Sequence, residues 1–223
     1  PNLSLHYYEP LFPAATAKSL FTFLLEEFPW YRVTYEVRGM TVNTPRFTTV
    51  FGLDESHEFE GGEGRVLEVA TGKPPTKPLR CTPRPLPGCL KELKNLMERE
   101  TGERFNFCLL NYYKDGKDSI SYHSDDEHFL GPLPSIASLS LGSARNFVMR
   151  LKGDHTIKFK ANLKSGDMIL MKNESQSKWE HSVPKRAGNV GPRMNLTFRQ
   201  ARVRYGSENY YRYNVHDGPY FRW

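Results

Sequence analysis

The segment SYHSDDEHFL, residues 121 to 130, places several ionisable side chains beside a run of strand-forming residues. His123 and Asp125 are two residues apart, so on a β-strand both side chains would leave the same face. An imidazole and a carboxylate on one face are two thirds of the 2-His-1-carboxylate arrangement that leaves open positions on a ferrous ion. The alternative is a solvated acidic turn. A third ligand from elsewhere in the chain would distinguish a metal site from such a turn. We interpret Glu127 and His128 as turn residues.

The candidate for the third ligand is His181, in the segment KWEHSVPK. His128 is too close in sequence to His123 and Asp125 to complete one face easily. For the remaining histidines a solvated or hydrogen-bonded side chain is the simpler interpretation, since they lie in contexts that indicate loops or surface: His6, His57, His155 and His216.

The segment RMNLTFR indicates a strand with one polar and one apolar face, because its side chains alternate in polarity. Arginines inside a small jelly roll would cost free energy unless anions meet them. A bound dicarboxylate supplies two such anions, which guanidinium groups hold in bidentate geometry. The alternative is an edge strand whose polar face is solvated. The residues of the polar face are Arg193, Asn195, Thr197 and Arg199.

The elements that must position these residues differ in periodicity along the chain. Two amphipathic helices are predicted over 13–28 and 87–102, and Gly102 ends the second. After Gly102 a series of short strands follows, separated by turns rich in Gly, Asn, Asp and Lys. This order is typical of a sandwich or jelly roll rather than of a parallel sheet. Residues 54–88 are rich in Gly, Pro, Glu and Lys and predict a long loop or insertion.

Composition and charge narrow the class of protein. Of the 223 residues, 38% are hydrophobic and 25% charged, which is typical of one soluble globular domain or at most two small ones. The net charge of +6 favours polyanionic partners. Cys81, Cys89 and Cys108 have no Cys-x-x-Cys spacing, which argues against a disulfide framework or a zinc site and favours a reducing compartment. The chain opens at Pro1 without a methionine, so we expect a trimmed N-terminus.

Several blocks of sequence together resemble one enzyme family. They are LLNYYKDGKDSISYHSDDE, SIASLSLGSARNFVMR, GDMILM, WEHSVPK and PRMNLTFRQ, within residues 104 to 202. In order and spacing they resemble the AlkB family of Fe(II)- and 2-oxoglutarate-dependent dioxygenases. The joint pattern N-x-Y-x-D-G, H-x-D-D-E, H-S-x-P and R-x-N-x-T-F-R is highly specific. Its form is closer to the eukaryotic DNA-repair members than to the RNA-directed ones.

The resemblance implies a metal site and part of a cosubstrate site. His123, Asp125 and His181 would be the catalytic iron ligands. Asn111 and Tyr113 lie on the strand before the KDGKD turn, and the resemblance implies that both hydrogen-bond 2-oxoglutarate.

The remaining roles that the resemblance implies concern the two carboxylates of 2-oxoglutarate and the substrate. Arg193 would pair with the far carboxylate. Arg199, with Asn195 and Thr197 nearby, would face the end nearer the metal. Asp126 matches the family position that meets the exocyclic amino group of the damaged base, and its alternative interpretation is a solvated carboxylate.

The resemblance also implies the architecture: an α+β, mostly β fold, with a double-stranded β-helix (jelly roll) flanked by helices and an N-terminal nucleotide-recognition hairpin. One domain over 1–223 would contain the helices and the nucleotide-recognition lid (1–103), the jelly-roll core (104–204) and an aromatic extension (205–223). The extension could stack on bases, although packing on its own domain is the simpler interpretation.

Residues 31–52 resemble the family's nucleotide-recognition lid, a hairpin that turns near Arg38, Gly39 and Met40. Duplex-directed members insert an apolar finger at this turn. Here Arg38 stands where an aromatic residue is expected, and Met40 is the nearest apolar side chain. This departure weakens the expectation of duplex preference. The alternative is a ribbon that only covers the barrel.

The reaction that the resemblance implies is oxidative demethylation of N1-methyladenine and N3-methylcytosine in DNA. This direct-reversal repair uses Fe(II), 2-oxoglutarate and O2, and it releases formaldehyde. The lesion lies on the pairing edge of the base, so the nucleotide must be flipped out of a duplex or supplied in a single strand. We expect a monomer in the nucleus, or alternatively the cytoplasm, with nucleic acid as partner and no membrane.

The preferred nucleic acid is expected to be DNA, in single strands rather than duplexes. Two alternatives stay open for the function. One is a demethylase of RNA or of a non-damage mark within the same family. The other is a catalytically silent nucleic-acid-binding module that kept the fold.

Overall fold

The computed structural model describes residues 2–62, 64–76 and 83–202. Cys81, His216 and the predicted aromatic extension (205–223) lie outside these ranges. Within them, the elements in chain order are β1 (Ser4–Tyr8), α1 (Ala14–Glu27), β2 (Thr34–Val37), β3 (Met40–Asn43), β4 (Phe47–Gly52), β5 (His57–Phe59), β6 (Val66–Glu68), α2 (Gly88–Thr101), β7 (Phe107–Tyr113), β8 (Ile120–His123), β9 (Ile136–Gly142), β10 (Arg145–Leu151), β11 (Asp154–Leu163), β12 (Met168–Lys172), α3 (Ser175–Lys178), β13 (Trp179–Val183) and β14 (Arg193–Arg199).

Two antiparallel sheets form the body of the fold. The larger has six strands in the order β1-β12-β9-β14-β7-β4, and the smaller has four in the order β11-β10-β13-β8. Most neighbours in a sheet are therefore distant in sequence, as in a jelly roll. The predicted fold class, mostly β with a jelly-roll core flanked by helices, is confirmed.

Strand β7 shows why its sequence, FCLLNYY, is apolar almost throughout. All seven residues are buried, because both faces of the larger sheet are covered. Leu110 and Tyr112 pack into an apolar cluster with the two long helices. Phe107 and Leu109 pack into a second apolar cluster that includes residues of the smaller sheet. The larger sheet is thus the central layer of the molecule.

Helices α1 and α2 cover one face of the larger sheet, and they confirm the helices predicted over 13–28 and 87–102. Gly102 ends α2 with a φ of 72°, a left-handed conformation that glycine adopts without steric cost. Within the described ranges, no helix combines the length and the apolarity that a membrane crossing needs. The buried residues of α1 and α2 are Ala17, Leu24, Leu90, Leu93 and Met97.

The N-terminal half holds more strands than its sequence indicates. Strands β1 and β4 form the two edges of the larger sheet, so this sheet extends beyond residues 104–204. The predicted loop over 54–88 contains the β5–β6 hairpin and a 3-10 turn at Glu60–Gly62, so that prediction is wrong for part of its length. Neither β5 nor β6 is longer than three residues, which is too short for alternation to be recognised.

Strands β2 and β3 pair with each other in a separate two-stranded sheet, as the lid resemblance predicts. The turn residues Arg38 and Gly39 have φ values of 51° and 76°. Two successive positive φ values are typical of the tight type I′ turns of β-hairpins. Arg38 and Met40 are exposed at this tip, with Met40 63% exposed.

Candidate active site

Two neighbouring strands of the smaller sheet bring the predicted metal ligands together. His123 ends β8, and it pairs in register with His181 on β13. The Nε2 atom of His123 lies 3.5 Å from Oδ1 of Asp125, and Nε2 of His181 lies 3.7 Å from Oδ2. One ligand atom from each residue lies within 4.8 Å of the others. Two imidazoles and one carboxylate at this spacing can hold a metal ion on one face and leave its other positions open.

Asp125 reaches the site for a different reason from the one that the strand period suggests. Strand β8 ends at His123, so Asp125 lies beyond it. Its backbone N–H donates a hydrogen bond to Oε1 of Gln176 on α3 (2.8 Å), and Ser124 Oγ donates to the carbonyl of Trp179 (2.8 Å). The buried Gln176 therefore positions the carboxylate, and no sequence signal links residues this far apart.

A hydrogen bond orients the ring of His123, and burial governs the protonation of His181. Nδ1 of His123 lies 2.9 Å from the carbonyl oxygen of Ser121, so a proton on Nδ1 leaves the Nε2 lone pair for a metal. Burial lowers the pKa of His181 to about 3, so its imidazole is neutral at physiological pH. Burial would raise the pKa of Asp125, but Arg199 and the two histidines hold it well below its ordinary value. The carboxylate is therefore ionised and able to bind a cation.

Arg199 ties this carboxylate to a second acidic residue. Its guanidinium Nη2 lies 3.0 Å from Asp125 Oδ1, and its Nη1 lies 3.1 Å from Glu127 Oε1. The Arg199 side chain is buried, so the two carboxylates offset most of its desolvation. Glu127 begins a turn as predicted, since its carbonyl accepts a hydrogen bond from the Leu130 N–H (2.9 Å), and its side chain also lines the same cavity as the metal ligands. His128 begins a 3-10 turn, as expected of a turn residue.

The opposite end of the cavity contains Arg193, which is 1% exposed. Its Nη2 donates a hydrogen bond to Ser140 Oγ (2.9 Å). Its Nε and Nη1 have no hydrogen-bond partner within the described residues. Buried donors without an acceptor are uncommon in folded proteins, and a carboxylate is the acceptor that suits a guanidinium group. This end of the cavity is therefore suited to an anionic ligand.

Asn111 stands beside Arg193 and is oriented by two donors. Its Oδ1 accepts hydrogen bonds from Arg46 Nε (3.0 Å) and Thr48 Oγ1 (2.8 Å). The Asn111 amide nitrogen is left as the donor for a ligand. Tyr113 lines the same cavity, with its ring centroid 5.4 Å from the Arg193 guanidinium carbon. Arg46 is a site residue that sequence reasoning missed, because it comes close to β7 only through the pairing of the adjacent strand β4 with β7.

Asn195 and Thr197 line the cavity as expected, but their polar groups form hydrogen bonds with neighbouring side chains. Asn195 Nδ2 donates to Ser138 Oγ (2.7 Å), and Asn195 Oδ1 accepts from Thr197 Oγ1 (3.1 Å). Both residues therefore stiffen the cavity wall between Arg193 and Arg199. The cavity has a volume of about 130 Å³.

Comparison with known proteins identifies the family of this site. The sequence model of the 2OG-Fe(II) oxygenase superfamily matches residues 4–199. The chain belongs to this superfamily. Within it, the AlkB resemblance is confirmed: mouse DNA oxidative demethylase ALKBH2 is 31% identical over 204 residues, which cover 86% of this chain and 78% of that protein. Fe(II), 2-oxoglutarate and O2 are the cofactors of the superfamily, and the triad and the arginines described above fit the first two.

One further relative supports the same family, and one solved structure shares the fold. Human alpha-ketoglutarate-dependent dioxygenase alkB homolog 3 is 36% identical over 184 residues, which cover 79% of this chain. The chain spans 58% of the length of that protein. The solved structure of OsALKBH1 has a TM-score of 0.53 at 16% identity and covers 88% of this chain and 97% of its own. At this identity the likeness shows the fold alone.

The predicted substrate residues do not line the cavity. Asp126 is exposed, and its Oδ2 lies 3.4 Å from Nζ of Lys152. Arg38 and Met40 lie at the tip of the β2–β3 hairpin. The structure therefore brings the predicted metal and 2-oxoglutarate residues into one cavity, whereas the predicted substrate residues lie outside its lining, on exposed parts of the surface.

Proposed function

We propose that this protein is an oxidative demethylase that removes methyl groups from N1-methyladenine and N3-methylcytosine in DNA. The observation that carries the proposal is one cavity with two contrasting ends. One end holds the His123, Asp125 and His181 ligand set, and the other holds Arg193 with two buried donors that lack an acceptor. A catalytically silent module has no use for either feature.

Each polar residue of the cavity has a part in this reaction. Bound iron and 2-oxoglutarate would supply the oxidation of a methyl C–H bond with O2, and the hydroxymethyl product loses formaldehyde. Arg193 would hold the far carboxylate of the cosubstrate, and Asn111 and Tyr113 would form hydrogen bonds with the cosubstrate. Arg199 keeps Asp125 ionised and oriented. Apolar residues of the cavity wall exclude water from the reacting groups: Leu109, Ile120, Phe147, Met171 and Val183.

The substrate class rests on the relatives and on the exposed groups around the site. Several of the relatives are named DNA oxidative demethylase, among them those of mouse and Arabidopsis thaliana. The carboxylate of Asp126 is exposed and can accept a hydrogen bond from an exocyclic amino group. Methylation of the pairing edge weakens the base pair, so the flipping cost of a few kcal/mol is smallest for the damaged base. The net charge of +6 favours a polyanionic substrate.

We propose further that single strands are repaired faster than duplexes. A wedge that holds a vacated base stack open has to offset an unstacking cost of a few kcal/mol. The hairpin tip offers the charged Arg38 and the flexible Met40 instead of a large aromatic side chain. Arg38 can neutralise a backbone phosphate, which adds affinity for either strand form. A monomer acting in the nucleus, with the cytoplasm as the alternative, is consistent with this function.

The test is the release of formaldehyde from the same lesion in single-stranded DNA, in duplex DNA and in RNA, compared as kcat/KM at one fixed salt concentration. We expect the highest value for single-stranded DNA. Faster repair of the duplex would show that the hairpin does act as a wedge. Release of formaldehyde from RNA alone would mean that the substrate is RNA and not DNA. Binding of nucleic acid without formaldehyde release would leave only a binding module.

Met40→Phe sharpens the strand argument, because it adds the aromatic side chain that the hairpin lacks. We expect this variant to raise duplex repair relative to single-strand repair by a few-fold, about 1 kcal/mol of stacking. Ile157→Phe is the matched control, since Ile157 is also exposed and lies on β11, outside the hairpin. An equal change in both variants would mean that added apolar surface, rather than the hairpin, alters strand choice.

A further inference from the structure

Arg145, the first residue of β10, is a buried cation that the proposed reaction does not use. Its side chain is among the largest that are fully buried, at 1% exposure. The guanidinium group donates to three backbone carbonyls: those of Asp115 (3.0 Å), Asp118 (2.9 Å) and Pro184 (2.8 Å). Within the described residues, no carboxylate forms a hydrogen bond or an ion pair with it. The hydrogen bonds are therefore satisfied, but the charge is not neutralised by a direct partner.

The buried carboxylate closest to this group is already engaged by another cation. Asp118 Oδ1 lies 3.2 Å from Nη2 of Arg32, and its Oδ2 accepts a hydrogen bond from the backbone N–H of Lys114 (2.8 Å). Arg145 itself binds only the main-chain oxygen of Asp118. The charge of Asp118 thus offsets Arg32 and compensates Arg145 only in part.

Two guanidinium groups flank one tyrosine at this end of the molecule. The Arg145 guanidinium carbon lies 5.8 Å from the ring centroid of Tyr113, and that of Arg193 lies 5.4 Å from it. Burial lowers the pKa of Arg193 to about 10 and lowers the pKa of Arg145, as expected of cations in a poorly solvated region. Arg193 lines the cavity, whereas Arg145 lies near Tyr113 and does not line the cavity.

We propose that Arg145 is a positioning residue whose charge acts through the Tyr113 side of the cavity and selects a dicarboxylate over a monoanionic 2-oxo acid. The second carboxylate of the cosubstrate would supply the negative charge that this end of the fold lacks. A buried charge is poorly screened, so it acts on a ligand that it does not touch. The inference rests on the proposed function, since it requires 2-oxoglutarate to place its far carboxylate at Arg193.

A purely structural role has to be separated from this one, because the three hydrogen bonds also tie the 115–118 turn to Pro184. Arg145→Gln keeps hydrogen-bond donors but removes the charge. Arg145→Lys keeps the charge but has fewer donors. A structural clamp would be weakened by both variants, and it would affect every 2-oxo acid alike.

The experiment measures binding of 2-oxoglutarate and of 2-oxobutanoate to the Mn(II)-loaded protein by calorimetry, and it compares the ratio of the two affinities. In Arg145→Gln we expect the ratio to fall about tenfold, because removing a poorly screened charge weakens the binding of the dicarboxylate more than that of the monoanion. In Arg145→Lys the ratio should stay unchanged. Arg104→Gln is the control: this arginine is 81% exposed, so its charge is screened by solvent, and it does not line the cavity.

An unchanged ratio in Arg145→Gln would overturn the inference, as would a parallel loss of both ligands. If Arg145→Gln does not fold, Arg145→Lys still decides, because a fall in its ratio would show that geometry rather than charge sets the preference. A wild-type protein that binds Mn(II) but not 2-oxoglutarate would instead overturn the proposed function. A wild-type protein that binds 2-oxoglutarate while its Gln variant keeps the same preference would overturn only the role of Arg145.

Discussion

The two ends of the cavity differ in how their charges are compensated. At the metal end, Asp125 contacts Arg199, and Arg199 contacts Glu127, so anions and cations already meet within the protein. At the far end, among the residues that the structure describes, two nitrogen atoms of Arg193 have no acceptor, and the hydrogen-bond acceptors of Arg145 are backbone carbonyls. The first end is paired before any ligand binds, whereas the second has an excess of positive charge.

This difference indicates how each end selects its ligand. A metal ion at the first end has to replace the contacts between Asp125 and the histidines, so its affinity depends on how Arg199 and Glu127 hold the carboxylate. An anion at the second end replaces no protein acceptor at Arg193 Nε and Nη1, so it meets donors that are already oriented. We therefore expect the far end to select an anion because its cationic donors are already oriented and lack a negatively charged partner.

The largest effect is expected from removing a metal ligand. His123→Ala, Asp125→Ala or His181→Ala should each lower turnover by about 10²-fold or more, because the site then has only two protein ligands. Formaldehyde release measures this, with the thermal melting curve as a check on folding. His155→Ala is the control, since its side chain is 56% exposed on β11. If any of the three retained more than about a tenth of the wild-type rate, the triad would be wrong.

Removing the far-end arginine should have the next largest effect. Arg193→Met should raise the dissociation constant for 2-oxoglutarate by about thirtyfold or more, since losing a buried charge-assisted pair costs about 2 to 5 kcal/mol. Nucleic-acid affinity should stay near wild type. Arg150→Met is the control, because Arg150 does not line the cavity. Its guanidinium carbon lies 3.8 Å from the ring centroid of Tyr122. A loss confined to nucleic-acid affinity would mean that β14 presents a phosphate-binding surface.

A smaller effect is expected at the paired end. Glu127→Gln should weaken metal affinity by about tenfold, because Arg199 would then neutralise Asp125 more strongly and compete with the cation. Titration with Mn(II) in the absence of 2-oxoglutarate measures this directly. Glu103→Gln removes a carboxylate that pairs with Lys172 and does not line the cavity, so it should leave the titration unchanged. Equal metal affinity in the Glu127 variant would show that the metal end does not depend on this pairing.

The smallest effect should come from a single neutral hydrogen bond at the far end. Tyr113→Phe should raise the dissociation constant for 2-oxoglutarate by about fivefold, since such a hydrogen bond contributes about 1 kcal/mol. Tyr112→Phe is a matched control on the same strand, because Tyr112 packs into the cluster under the helices. A loss as large as that of Arg193→Met would mean that the tyrosine, rather than the guanidinium, is the main anion-binding group.

The sequence predicts the orientation of a side chain where the local pattern of polar and apolar residues determines it. The polar face of β14 follows from alternation, and in the structure its side chains line the cavity while Met194, Leu196 and Phe198 pack under the helices. The two long helices and the Gly102 end follow from a helical apolar stripe and a glycine in the left-handed conformation. The grouping of His123, Asp125 and His181 follows from the order and spacing of the family blocks.

The tertiary structure alone determined what surrounds these groups. Gln176 holds Asp125, Glu127 holds Arg199, Arg46 orients Asn111 and Arg145 lies near Tyr113, and each pair is separated by tens of residues. Alternation is a local property of the backbone, so it assigns a side chain to a face and says nothing of what faces it. The partner depends on strand order and register, and the antiparallel crossovers of this jelly roll set both. Whether a buried charge is neutralised is therefore decided only when the sheets pack.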